Sequence, residues 1–93
     1  MELHHKLKLA VALKYRQDQD VAPLVVATGR GMLAEAILKK ARDAGIPIHP
    51  DSELAEMLSE VEAGDSIPEE LYEVVAQIMA MVYRMDSALA RRI

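Results

Sequence analysis

Thr28-Gly29-Arg30-Gly31 is the stretch of this 93-residue chain whose residue types come nearest to a ligand cradle. A glycine-bearing turn between a buried strand and a helix N-terminus can hold a phosphate on its backbone N–H groups. A dinucleotide site needs a longer glycine fingerprint, however, and a P-loop ends in Gly-Lys-Ser/Thr. These four residues therefore read as a tight turn. His4 and His5 are adjacent, so in a strand they point to opposite faces and do not share one metal without help from Glu2 or His49. Nothing in the spacing supplies that help, and no metal site is expected. Nucleophilic catalysis has no support, because there is no cysteine and Ser52, Ser59, Ser66 and Ser87 have no adjacent histidine. The carboxylates are numerous but follow surface spacing. The chain reads as a non-enzyme with no catalytic residue and no cofactor.

The elements that would position such residues follow from periodicity. Leu7, Leu9, Val11, Leu13 and Tyr15 alternate with Lys6, Lys8, Ala10, Ala12 and Lys14, the pattern of a half-buried strand. Residues 16–20 (RQDQD) are turn-prone, and Pro23 precedes LVVA (24–27), a short β-branched run suited to a buried central strand. Residues 32–44 predict a helix whose inner stripe is Leu33, Ile37 and Ala41, flanked by Ala34 and Leu38. Glu35 and Lys39 are spaced as an outer ion pair, and Gly45 stands where a left-handed cap belongs. GIPIH (45–49) predicts a third strand, parallel to the second through a right-handed crossover, while the first two strands form a hairpin.

A second helix is expected over 52–60, capped by Asp51 or Ser52. Ser66-Ile67-Pro68-Glu69 has capping-box spacing, with proline in a first-turn slot. In the last helix Leu71, Val74, Val75, Ile78, Val82, Met85 and Leu89 form one stripe, with Arg91 and Arg92 complementing its C-terminal dipole. The methionines at 79, 81 and 85 are expected to fill core gaps, with Met81 off the stripe toward solvent. The expected fold class is α/β: a small mixed sheet of about three strands with one βαβ unit, flanked by three helices, the last one long. Residues 1–93 form a single domain.

Charge is unevenly placed. The formal net charge is -4, with 52% apolar and 28% charged residues, an ordinary globular balance. Residues 51–73 hold nine acids and no lysine or arginine, whereas residues 1–45 lean basic. Such a block repels nucleic acid and attracts cationic partner surfaces, or simply solvates a face. No uninterrupted apolar run approaches the roughly 20 residues that span a bilayer. The first residues lack the apolar core of a signal peptide, so a cytoplasmic protein is expected.

Three stretches, AVALKY (10–15), VVATG with a helix leading to AGIPI (25–48), and GDSIPEELYEVVAQIMAMVYRMD (64–86), together resemble the C-terminal cytoplasmic domain of the FlhB/YscU family. Those are the export-switch proteins of flagellar and virulence type III secretion. IPEELYEVVAQIMAMVYR is the most specific part. The resemblance implies a mixed sheet surrounded by helices and a role in protein export. It also brings an Asn-Pro-Thr-His loop just before the AVALKY strand, where family members cut themselves as the asparagine side chain attacks its own backbone carbonyl. Here the aligned positions read His5-Lys6-Leu7-Lys8, and the chain contains no asparagine at all. The carboxamide that this route requires is missing, so the family's cleavage residues do not carry over. The family's membrane segment, linker and upstream strand are also absent from this sequence. In the second helix its Leu-Ala-Arg-x-Leu-Tyr pattern becomes Leu54-Ala55-Glu56-Met57-Leu58-Ser59, and one residue is deleted before Val61.

The expected function is thus a stand-alone, non-cleaving FlhB-like protein that binds export-apparatus components or export substrates. Its contacts would come from the strand edge at Lys6, Lys8 and Lys14, from the acidic surface at Glu53, Glu56, Glu60, Glu62 and Asp65, or from both. It would near a membrane only through partners and would be a monomer or weak dimer. One alternative is a small RNA-binding α/β domain of a ribosomal type, with Arg30, Lys39, Lys40 and Arg42 as its patch; the acidic balance opposes it. The other is a generic protein-interaction module unrelated to secretion.

Overall fold

The computed structural model describes residues 8–16 and 18–91, with side chains described as far as Val82. In chain order the elements are β1 (Leu9–Lys14), β2 (Leu24–Arg30), α1 (Met32–Asp43), α2 (Ser52–Leu58) and α3 (Tyr72–Arg91). A single 3-10 turn, Glu69–Leu71, leads into α3. The fold is α/β with three helices, the last one the longest.

β1 and β2 pair antiparallel, as a hairpin of short connection must. Arg16 closes the connection: its side chain forks onto Asp20 at 3.0 and 3.2 Å, and its backbone N–H donates to the same carboxylate at 2.9 Å. The ladder carries one irregularity. Ala12 pairs with Ala27 but Leu13 pairs with Val25, leaving Val26 as an extra residue in β2. This bulge changes the alternation of the strand. Val25 and Thr28, three residues apart, both lie beside the odd-numbered residues of β1, on one face of the sheet.

That face carries the main core. Val25 is fully buried and packs with Leu54 and Leu58 of α2, Ile67, and Val75 of α3, with Val11, Leu13, Ile78 and Met79 at the margin. Burying an aliphatic side chain of this size contributes about 2 kcal/mol. The opposite face is built from Ala10, Ala12, Ala27 and Gly29, and its lack of bulk lets α1 approach closely. Ala34 of α1 is fully buried there. Leu33 lies so near Gly29 that a Cβ added at that glycine would clash with its Cγ.

Several expectations are corrected. Among the described residues the sheet has two strands, not three, because residues 46–50 form no strand and leave Ile46 and Ile48 exposed. Pro47 removes one of the five backbone donors that the expected strand 45–49 would use, and Pro50 follows directly behind it. The βαβ unit therefore does not form, and the sheet is antiparallel rather than mixed. Thr28, Gly29 and Arg30 belong to β2, so only Gly31, at φ 60° and ψ -124°, makes the turn into α1. Leu33 is 57% exposed, and the inner side of α1 is set by Ala34 with Ile37, Leu38 and Ala41. The Glu35–Lys39 pair is replaced by Lys8–Glu35 and by Lys39–Asp43 at 2.8 Å.

The C-terminus of α1 closes as expected. Gly45 is left-handed at φ 71°, its N–H donates to Arg42, and the Ile46 N–H donates to Ala41 at 2.8 Å. At α2 the capping residue is Asp51, whose carboxylate accepts the Leu54 N–H at 3.0 Å. The capping box at Ser66 does not form. Ser66 instead bridges to Leu24, and the Ile67 N–H donates to the Pro23 carbonyl, which holds this segment extended along β2. Pro68 becomes the residue before the 3-10 turn, with no side-chain cap. On α3, Val75 is buried and Ile78, Met79 and Val82 are half-buried, whereas Val74 and Met81 are exposed. Met85 and Leu89 lie outside the described side chains.

Candidate functional site

Backbone geometry defines the most prominent candidate binding feature among the described residues, the outer edge of β1. The Gly31 N–H donates to the Lys8 carbonyl across the hairpin at 2.8 Å. In an antiparallel ladder hydrogen-bonded and non-hydrogen-bonded pairs alternate, so Ala10 and Ala12 also bond inward while Leu9 and Val11 point their N–H and C=O groups outward. Leu13 follows the same outward direction, because its partner Val25 bonds away from β1, to Asp65 and Gly64. Among the described residues no backbone group pairs with Leu9, Val11 or Leu13 on that outer side. The outer edge of β2 differs: its first half is covered by Gly64–Ile67.

Charge along β1 comes from Lys8 and Lys14, both exposed and, by alternation, on the α1 side of the sheet. Lys8 is ion-paired with Glu35 of α1. Hydrogen bonding to Lys8, reinforced by its charge, holds the Glu35 carboxyl below the usual carboxylate range. Lys14 has no ion-pair partner among the described residues. Lys6, and with it His5 and Leu7 of the degenerate cleavage-loop position, lies outside the described residues. At the far end of the strand the Arg16 fork, then the Arg16 backbone N–H, depress the Asp20 carboxyl.

The acidic stretch is less bare than its composition suggests. Glu53, Glu60, Glu62 and Asp65 are exposed. Glu56, also exposed, receives a two-pronged hydrogen bond from Arg30 of β2 at 3.0 and 3.2 Å. This link between sheet and helix was not foreseen from the sequence, since 26 residues separate the partners and only the bulge at Val26 turns Arg30 toward α2. It also divides the basic patch considered for RNA. Arg30 serves the α2 side of the sheet, whereas Lys39, Lys40 and Arg42 belong to α1 on the other side, where Lys39 is engaged by Asp43. The strand edge and the acidic exposures are consequently separate features, one offering unpaired backbone groups and the other dispersed carboxylates.

Comparison with known proteins places this arrangement. YlqH of Bacillus subtilis (strain 168) is 42% identical over 86 residues, which cover 92% of this chain and 92% of that protein. The flagellar biosynthetic protein FlhB of Aquifex aeolicus (strain VF5) is 43% identical over 75 residues, 80% of this chain but 21% of FlhB. The chain thus spans about a fifth of the FlhB proteins it matches. Among solved structures, a mutated EscU C-terminal domain superposes with a TM-score of 0.77 at 33% identity, covering 81% of this chain and 92% of that domain. The PscU C-terminal domain superposes with a TM-score of 0.75 at 25% identity, covering 80% and 95%. The sequence profile of the FlhB HrpN YscU SpaS Family matches residues 7–82, from β1 to the middle of α3, and the chain belongs to that family.

Proposed function

We propose that this chain acts in the cytoplasm as a non-cleaving FlhB-like module that binds components or substrates of a flagellar or type III export apparatus. The observation carrying this reading is the retention of an EscU-type domain, from β1 through α3, by a sequence without asparagine. The family's intramolecular cut draws on a carboxamide at the position read here as His5-Lys6-Leu7-Lys8, and no side chain in that tetrapeptide offers one. What remains of the domain is a binding surface: a strand edge beside Lys8 and Lys14 that is open among the described residues, and exposed carboxylates at Glu53, Glu60, Glu62 and Asp65.

The direct test is capture of purified export-gate cytoplasmic domains by the immobilised chain, together with the intact mass of the chain after prolonged incubation. Retention of a gate domain at about micromolar concentration and a single undivided mass are expected. Absence of binding at tens of micromolar sinks the partner assignment, and fragments severed near residues 5–9 without protease sink the non-cleaving one. Deletion of the gene is expected to alter motility or the order of filament and hook secretion. Among the described residues no helix is long and apolar enough to cross a membrane.

A further inference from the structure

We propose that the outer edge of β1 accepts an extended peptide with alternating apolar residues and an acidic residue at each end. This deepens the proposed function, resting on its reading of the chain as a protein-binding module, and names the site and the chemistry of its partner. Residues 8–14 read Lys-Leu-Ala-Val-Ala-Leu-Lys, the same in both directions about Val11. The outward N–H and C=O groups of Leu9, Val11 and Leu13 form a template for one added strand. On one face, alternate side chains of that strand would lie beside half-buried Leu9, Val11 and Leu13 and extend the layer containing Val25 and Leu58. On the other face its neighbours are small in the middle, Ala10 and Ala12, and cationic at the ends, Lys8 and Lys14.

Charge decides the occupant. Directly opposed residues of antiparallel strands sit about 5 Å apart at Cβ, so like charges there repel and opposite charges attract. A second copy of this chain can pair through β1 about a two-fold axis at Val11 with its hydrogen bonds matched. That register sets Lys8 of each copy opposite Lys14 of the other, at both ends of the ladder. The palindrome therefore discourages self-pairing, whereas a strand with terminal acids meets a lysine at each end. Since Glu35 already engages Lys8, Lys14 is the stronger determinant.

The test uses the full-length protein and two synthetic heptapeptides, Glu-Leu-Thr-Val-Thr-Leu-Glu and its counterpart with lysine at both ends. Binding is followed by calorimetry, and hydrogen exchange is followed residue by residue. The acid-ended peptide is expected to bind about tenfold more tightly than the lysine-ended one. It is expected to slow exchange at the Leu9, Val11 and Leu13 amides. Lys14→Glu, at an exposed position, is expected to reverse the preference. Val11→Pro removes an outward N–H without touching the ladder to β2 and is expected to weaken both peptides. Equal affinities, or protection confined to other segments, overturn the proposal. So does protection of those three amides in the free protein that is lost when residues 1–5 are removed, because the chain's own N-terminus would then be the occupant. Concentration-dependent protection with dimer formation assigns the edge to a second copy and overturns it as well. Capture of gate domains that Lys14→Glu leaves intact, with no peptide binding, sinks this inference alone; peptide binding without capture sinks the export assignment alone.

Discussion

Gly29 shows how much a single missing side chain can decide. It faces α1, and any Cβ there would clash with the Leu33 Cγ and stand 2.9 Å from the Leu33 Cβ. Rotating Leu33 relieves the first contact but not the second, so the helix itself must shift. Gly29→Ala is expected to destabilise the domain by about 1–2 kcal/mol. Leu33→Ala in the same chain should return part of that loss, and a urea-denaturation double-mutant cycle measures the coupling. Acid stability is set by residues of another kind. Asp20 and Glu35 have carboxyl groups depressed by Arg16 and Lys8 respectively. A depressed carboxyl contributes its stability above its unfolded-state value and loses it as pH falls through the folded one. Stability is therefore expected to decline as pH drops through the ordinary carboxylate range and below it. Asp20→Asn should flatten the profile while lowering its neutral-pH plateau, which thermal melts across a pH series would show.

Helix ends carry the next level of information, and here the sequence is unequally readable. Gly45 and Asp51 are local devices, each closing its helix through bonds to residues no more than five positions away, and both were legible. Asp51→Ala is expected to cost about 1 kcal/mol and to raise amide exchange at Leu54 before other sites. Ser66 was misread for the opposite reason. Its capping-box spacing is a local signal, but Leu24 and Pro23, more than 40 residues upstream, offer the segment strand pairing instead, and the helix starts later. The run GIPIH carried strand-like residues but also Pro47, so apolar character outvoted donor count in the sequence reading. Arg30–Glu56 was invisible because the fork depends on a ladder irregularity that no periodicity announces.

At the scale of the molecule, the layering was readable and the charge layout was not. The alternation of β1, the stripe of α3 and the family resemblance in residues 10–86 jointly implied helices against a small sheet, and the described structure has α1 on one face with α2 and the start of α3 on the other. Composition alone suggested an uninterrupted acidic front, whereas the folded chain neutralises Glu56 and spends Asp51 on a helix cap. Among candidate binding residues, Lys8 and Lys14 share one side of one strand, and the remaining acids are scattered over α2 and the segment that follows it. The extra residue in β2 governs this arrangement. Val26 works as a phase shifter: were it to take a regular place in the ladder instead of bulging, Thr28 and Arg30 would rotate to the helix that now covers Ala10 and Ala27. The guanidinium would then sit on the same side as Lys8, competing for Glu35, and its fork onto Glu56 would be lost. A change of pairing, with no change of sequence, would thus rewire the molecule's electrostatics from one layer to the other.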